Sequence, residues 1–426
     1  MRFDLDVHEA DFGALLNQLV SITGHEPWTR KINSLQQQLD QNPYLYEYQN
    51  EHHSLELAVQ DILSRTDWNT RNPVIYIEKQ ADADLLAFCA GITKIDDNLT
   101  PSAKKRLKGM ILDGLKPDNN LLSVQHEAST AVHFISLGFD LEFNDLEEGS
   151  GVDFIGRLDG IELEIECKMF TGDIGRQLHR KKVLALQQYL SQFIQQVFNA
   201  ANNGLLIRIT IPGRLSCSTN QLDAIGQTLT KGIVNGKTIT SSEECEIEVL
   251  DFDIGSSPFS SDRPEEVSKA SLTEYVEKLT GRKNTNLMSF YSPKKKAVVV
   301  LMESSKPDKV LNGIYRQLRE SSKSQFTKTR PGHLTVQFVD LTAEQMTGLA
   351  MDAPSAQFKP TGLQKMTTEY LDSPSRSHIH SVTYRSWGTL QQLSNSPNTF
   401  TNHEIAYYTR NPANPFYDDL RLKPLR

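Results

Sequence analysis

"GVDFIGRLDGIELEIECKMF", residues 151–170, decides how the middle of the chain folds. Asp159-Gly160 separates two apolar runs, and Asp-Gly favours a two-residue type I′ turn because both central positions take positive φ. The turn predicts strands over 152–158 and 161–169, with Leu158 opposite Ile161. Counting back, Arg157 faces Glu162, Ile155 faces Glu164 and Asp153 faces Glu166 on one side. On the other side Phe154 meets Ile165, Gly156 meets Leu163 and Val152 meets Cys167. The second set is apolar or small and predicts a core-facing surface, whereas the first predicts a wet face.

Arg157 and Glu162 form a favourable cross-strand pair. Asp153 and Glu166 do not, because directly opposed Cβ atoms lie ~4.5–5.5 Å apart and like charges there destabilise a sheet. A raised carboxyl pKa, full hydration or a nearby cation would offset the repulsion. Lys168 is a diagonal neighbour on the same face. A divalent ion is the more effective neutraliser, and Mg²⁺ prefers one or two carboxylates plus waters and phosphate oxygens.

Outward from the hairpin, the pattern reads helix, strand, strand, strand, helix, strand. "NNLLSVQHEASTAVHFISLG" (119–138) places Val124, Ala128, Ala131, Val132 and Ile135 on one helical face. "FDLEF" (139–143) precedes the hairpin; a helix over about 174–200 and the buried-strand run "GLLIRITI" (204–211) follow it. A helix over about 218–234 and "EIEVLDF" (246–252) complete the expected core. Before it, apolar residues at helical spacing, such as Phe12, Leu15, Leu16, Leu19 and Val20, predict a helical accessory domain over 1–118. Thr100-Pro101 there reads as an N-cap followed by Pro at the first helical position. The Ser- and Pro-rich "GSSPFSSDRPEE" (255–266) reads as a linker. "AVVVLM" (297–302), a helix over about 307–322, "HLTVQFVDL" (333–341), "HIHSVTYRS" (378–386) and "EIAYYT" (404–409) then predict a C-terminal α/β region, 267–426, separate or an extension of the core. The expected class is α/β, a central mixed sheet flanked by helices, with the core over 119–254.

Asp153, then 12 intervening residues, then Glu166-Cys167-Lys168 on an apolar strand resembles the PD-(D/E)XK nuclease superfamily, in its restriction-endonuclease-like and Holliday-junction-resolvase-like branches. The upstream helix with Glu127, the Gly-rich approach "EEGSGVDF" and the following helix and strand fit the resemblance, which spans residues 119 to about 253. Two departures stand out: Val152 replaces the Pro before the first acid, and Glu164 adds a third acid, leaving open whether it shares the ligand role. The resemblance implies metal-dependent phosphodiester hydrolysis with Mg²⁺ or Mn²⁺. Asp153 and Glu166, with Glu127, would be metal ligands, and Lys168 would orient water or stabilise transition-state charge.

The 426-residue composition, 38% hydrophobic and 23% charged, is that of a globular protein. A formal net charge of −8 argues against nonspecific coating of nucleic acid but allows a local basic groove. Arg176, Arg180, Lys181 and Lys182 open the helix after the Glu-x-Lys strand and are the expected phosphate contacts. Further basic segments are Lys104, Lys105, Arg106 and Lys108; Lys294 to Lys296; and Arg316, Arg319, Lys323, Lys328 and Arg330. His378 and His380 share one face of a predicted strand without an apparent third ligand, so a structural or surface role is expected. The four cysteines are scattered and read as reduced thiols. No phosphate loop or nucleophile elbow is present. The start lacks a secretory pattern and no apolar run approaches membrane-spanning length, so a cytoplasmic protein without membrane attachment is expected. Oligomerisation is left open. The leading expectation is a divalent-metal-dependent nuclease acting on DNA; the alternative is an inactive nucleic-acid-binding or assembly module of the same fold.

Overall fold

The computed structural model describes residues 8–65, 74–234, 238–261, 267–281, 286–339, 362–386, 389–392, 400–403, 406–419 and 421–422. Helices α1 (Phe12–Thr23), α2 (His25–Gln41), α3 (Tyr46–His52), α4 (Ser54–Arg65), α5 (Gln80–Asn98), α6 (Pro101–Gly114) and α7 (Leu122–Ser136) come first. Then follow β1 (Asp140–Glu142), α8 (Asn144–Glu148), β2 (Phe154–Leu158) and β3 (Ile161–Phe170). Next are α9 (Arg180–Ala200), β4 (Gly204–Ile211), α10 (Thr219–Val234), β5 (Ile239–Ser241), β6 (Glu246–Phe252), α11 (Lys269–Thr280), β7 (Leu287–Ser292) and β8 (Lys296–Ser304). The chain continues through α12 (Val310–Ser324), β9 (Gly332–Phe338), α13 (Gly362–Leu371), β10 (Ile379–Arg385), β11 (Thr389–Gln392), β12 (Phe400–His403) and β13 (Ala406–Arg410). The expected α/β class holds, with two larger mixed sheets flanked by helices.

These elements form two compact units. The first comprises Met1–Gln37, Gln49–Ile174 and Val310–Arg426; the second comprises Gln38–Tyr48 and Gly175–Lys309. The expected boundaries therefore change. Residues 119–254 do not close into one core, because the helix and strand that complete the hairpin's sheet are α12 and β9, not α9 and β4. The helix and strand predicted after the hairpin form as α9 and β4 but belong to the second unit; in the first unit's sheet α12 and β9 follow β3, with residues 175–309 inserted between. Lys309 N–H donates to the Gly175 carbonyl at 2.8 Å, so the insertion's two ends are bonded to each other.

In the first unit the sheet order is β1-β2-β3-β9-β10-β13. β1, β2 and β3 are antiparallel neighbours, β3, β9 and β10 run parallel, and β13 closes the order antiparallel to β10. The hairpin register is the predicted one from Leu158 opposite Ile161 to Phe154 opposite Ile165, but the ladder stops there. The expected pairs of Asp153 with Glu166 and Val152 with Cys167 do not form, and Val152 joins the core of Ile155, not that of Cys167. Asp159 and Gly160 both take positive φ, 48° and 83°, as a type I′ turn requires.

Phe154, Leu163, Ile165 and Cys167 face one core, shared with Phe12 of α1, Val59 of α4, Leu85 of α5 and Ala131 of α7. The N-terminal helices are thus one layer of this unit rather than an accessory domain. Their starts follow local rules: Thr100 accepts the Ala103 N–H at 3.4 Å and Pro101 takes the first helical position. On the opposite face Ile155, Leu334, Val336 and Phe338 meet Leu318 of α12 and Leu363 and Tyr370 of α13. With helices on both sides, every residue of β9 is buried. This cover overturns the expected wet face, since Glu164 is fully buried and Glu166 is 2% exposed.

The second unit has a sheet of order β5-β6-β4-β8-β7 whose central β4 and β8 are parallel. Ile207 and Ile209 face α9 and α10, and Leu206 faces α11. The expected linker at 255–266 is not a boundary. Residues 254–260 form two 3₁₀ turns with Phe259 buried in this unit's core, and 262–266 lie outside the described residues. Residues 340, 341, 404 and 405 of two predicted strands also lie outside them. Among the described residues, no helix is long and apolar enough to cross a membrane.

Candidate active site

The site forms where β2 parts from β3. The ladder ends at Phe154 opposite Ile165, leaving the next β3 N–H on that side, that of Cys167, without a strand partner. Asp153 supplies one: its Oδ2 accepts the Cys167 N–H at 2.6 Å. A buried backbone donor demands such a partner, which fixes the carboxylate at the hairpin edge.

The approach to Asp153 is also pinned. Gly149 ends α8 in the left-handed region, and Asn144 Nδ2 donates to the carbonyls of Ser150 (2.9 Å) and Val152 (3.2 Å). A Cβ on Gly151, at φ 96°, would lie 2.7 Å from Asn144 Nδ2. Arg106 of α6 donates to the carbonyls of Leu146 and Glu147 at 2.6 and 2.7 Å, closing the end of α8.

On β3, Lys168 Nζ lies 2.5 Å from Glu166 Oε1. Glu166 Oε2 is buried with no hydrogen-bond partner. Glu127 on α7 and Asp145 on α8 join the group electrostatically, and both line, with Asp153, a small cavity of about 20 Å³ walled by Ile92, Ile95 and Leu107. That is room for one water-sized occupant.

Burial and neighbouring charge raise three of these acids. Burial and then the charges of Asp153, Asp145 and Glu166 push Glu127 well above the usual carboxylate range. Burial raises Asp153 despite the opposing Cys167 N–H and Lys168. Burial and Asp153 raise Glu166 to about 7, against the pull of Lys168. Lys168 is penalised by burial, but Glu166 and Asp153 more than offset this and its pKa rises. The lysine is therefore held as an ammonium, while Asp153 and Glu166 keep their protons to higher pH than free carboxyls do.

The residues fit a weakly enclosed cation better than a caged one. Among the described residues no three Asp, Glu, His or Cys side chains converge closely enough to hold a metal ion. Mg²⁺ needs only one or two carboxylates plus waters and substrate oxygens, and the unsatisfied Glu166 Oε2 is an acceptor that such an ion would satisfy.

Of the predicted residues, Asp153, Glu166, Lys168 and Glu127 come together. Arg176, Arg180, Lys181 and Lys182 belong to the second unit, and within the first unit it is α12 that comes next after β3 and packs with β9. Arg180 lies 3.9 Å from Glu47 and 5.9 Å from the Tyr48 ring centroid, whereas Lys181 and Lys182 are exposed. Glu164 is bonded elsewhere, accepting the Thr327 N–H at 3.0 Å and its hydroxyl at 2.5 Å, with Arg330 at 3.4 Å. Glu162 pairs with Arg157 as predicted (2.9 Å) and with Arg330 (2.6 Å). Lys296 donates to the Phe198 carbonyl.

His378 and His380 stand apart. His380 is buried and shares the Ser381 hydroxyl with His333, each at 2.8 Å, while partly exposed His378 faces Phe326. Sequence reading missed Asp145, which looked like one acid among several in a loop. Its signal was the Asn144-to-Gly151 segment needed to brace Asp153.

No family model, curated protein or solved structure matches the chain.

Proposed function

We propose that the first unit hydrolyses phosphodiester bonds, in DNA, with Mg²⁺ or Mn²⁺ held by Asp153 and Glu166 and supported by Glu127. The observation that carries this reading is the Asp153, Glu166, Lys168 cluster at the hairpin edge, with an orphaned Glu166 oxygen beside a clamped ammonium. A bound divalent ion supplies an acidified water and a polarised phosphate. Lys168, held cationic, favours the negative charge that grows on the attacked phosphate. Glu166 Oε2, buried without a hydrogen-bond partner, would be an oxygen offered to the ion. Asp153 is kept in place by the Cys167 N–H.

A second reading rests on the 2.5 Å contact between Lys168 and Glu166. That ion pair and the Asp153 bond already engage both carboxylates, as they would in an inactive nucleic-acid-binding or assembly module. Plasmid, single-stranded DNA and RNA cleavage with Mg²⁺ or Mn²⁺ separates the two. The nuclease reading expects DNA cutting that is abolished in Asp153→Ala, Glu166→Ala and Lys168→Ala while circular dichroism stays native. Equal residual cleavage in all three variants would leave the binding module as the surviving reading.

A further inference from the structure

The second unit carries an open groove of about 480 Å³ between α9 and α10, lined by Tyr189, Phe193, Asp223, Gly226, Gln227, Thr230 and Lys231. Tyr189 and Phe193 are one helical turn apart, with ring centroids 5.6 Å apart and planes inclined by 40°. Both are only partly buried. Gly226 lets α10 approach them, since a Cβ there would lie 3.2 Å from the Tyr189 ring and 3.3 Å from Phe193. Tyr189 donates its hydroxyl to Asp223 Oδ1 at 2.8 Å, which fixes the orientation of its ring. The rim holds an exposed carboxylate, an amide, a hydroxyl and an ammonium, donors and acceptors around two aromatic faces.

The groove lies in a polarised setting. Cys217, just before α10, donates its thiol to the Lys182 carbonyl in the first turn of α9 at 3.2 Å, so both helices begin at the same end. Helix N-termini carry positive partial charge. Exposed Lys181 and Lys182 add to it at that end, and Lys231 stands near the other. On α9, Lys182, Tyr189 and Phe193 are spaced seven and four residues apart and fall on one helical face. At ~1.5 Å per residue, the two aromatics are offset by ~6 Å along the axis, a spacing suited to consecutive bases of an extended strand.

We propose that this groove binds single-stranded nucleic acid, with bases against Tyr189 and Phe193 and phosphates drawn by Lys182 and the paired helix N-termini. Bases offer planar faces that stack on aromatic rings irrespective of sequence, and a basic path tracks the backbone. Duplex hides those faces and should bind more weakly. The inference takes its ligand class from the nuclease reading, but its site lies wholly within the second unit.

The test is fluorescence anisotropy of the full chain with labelled oligothymidine and a hairpin duplex of equal length, in EDTA so that binding is read without cleavage. Single strand is expected to bind at least tenfold more tightly than duplex. Tyr189→Leu with Phe193→Leu keeps apolar bulk but removes the aromatic faces, and should weaken single-strand binding by about a hundredfold, tenfold per ring. Tyr189→Trp with Phe193→Trp should preserve it, and Lys182→Ala should reduce the salt dependence. Circular dichroism and melting verify the fold. Single-strand affinity within twofold of wild type in the folded leucine variant, or no preference over duplex in wild type, overturns the proposal. Groove-dependent binding without cleavage under any metal would instead leave the groove standing and remove the nuclease reading.

Discussion

Glu166→Gln should reverse part of the protein's pH dependence. The carboxyl moves from its ordinary 4.5 in the open chain to about 7 in the fold, because burial and Asp153 disfavour its charge. A raised acid binds its proton more tightly in the folded state, so it contributes stability below the unfolded value, and that stability is lost as pH rises through the folded value. At about 1.4 kcal/mol per pH unit, the interval corresponds to roughly 3 kcal/mol. Relaxation of Asp153 and Glu127 in the variant would reduce this to about 2 kcal/mol. At pH 4.5 Glu166 is protonated in the fold, so the difference between wild type and variant there isolates the change in shape and hydrogen bonding. The further difference at pH 8 isolates the buried charge.

Tryptophan fluorescence suits the measurement, because Trp28 is buried in the first unit's core. Urea unfolding in EDTA at a series of pH values between 4.5 and 8 should show the variant gaining on wild type by about 2–3 kcal/mol across the range. Parallel stability curves would refute the account of Glu166 as a carboxyl held against its charge.

Two other perturbations address the scaffold. Burial depresses His126 and His333 to about 3 and His380 to about 4, so these bases lose protons on folding and the first unit should lose stability as pH falls from 6.5 toward 4. Acid titrations of His333→Asn and His380→Asn should show shallower slopes, whatever their stability at pH 7; unchanged slopes would count against the reasoning. Gly332→Ala places a Cβ 2.7 Å from the Phe326 ring and 3.1 Å from Ile379, and should destabilise by about 1–3 kcal/mol, seen as a melting temperature lower by a few degrees. An unshifted melting temperature would show that Phe326 moves aside freely.

What the sequence revealed depended on the range of the interaction. The hairpin register was legible because Asp159-Gly160 restricts the backbone locally and a one-residue slip would turn every side chain over. Thr100-Pro101 marked a helix start for the same local reason. The partner of β3 was not legible: "GLLIRITI" and "GHLTVQF" are both buried strands, and burial alone does not say which sheet a strand joins. Glu164 was likewise expected on a wet face, which β9, Thr327 and Arg330 cover. The hairpin carries Asp153 to within one hydrogen bond of β3, where the Cys167 N–H holds it, which is why the neighbourhood of Asp153 and Glu166 could be read while Asp145 could not.

The insertion sets a timetable for synthesis. β3 is complete at Phe170 but its parallel neighbour begins at Gly332, so 161 residues must be made between them. At ~5–20 residues per second, that is a wait of roughly 10–30 s with one edge of β3 unpaired. The inserted segment has its ends bonded together and its own core, so it can compact during that wait. Glu164 and Glu166 would remain in water over the same interval. Glu166 therefore becomes buried only after the chain has returned from this excursion, later than Glu127 and Asp153, whose cavity is walled by residues made before β3.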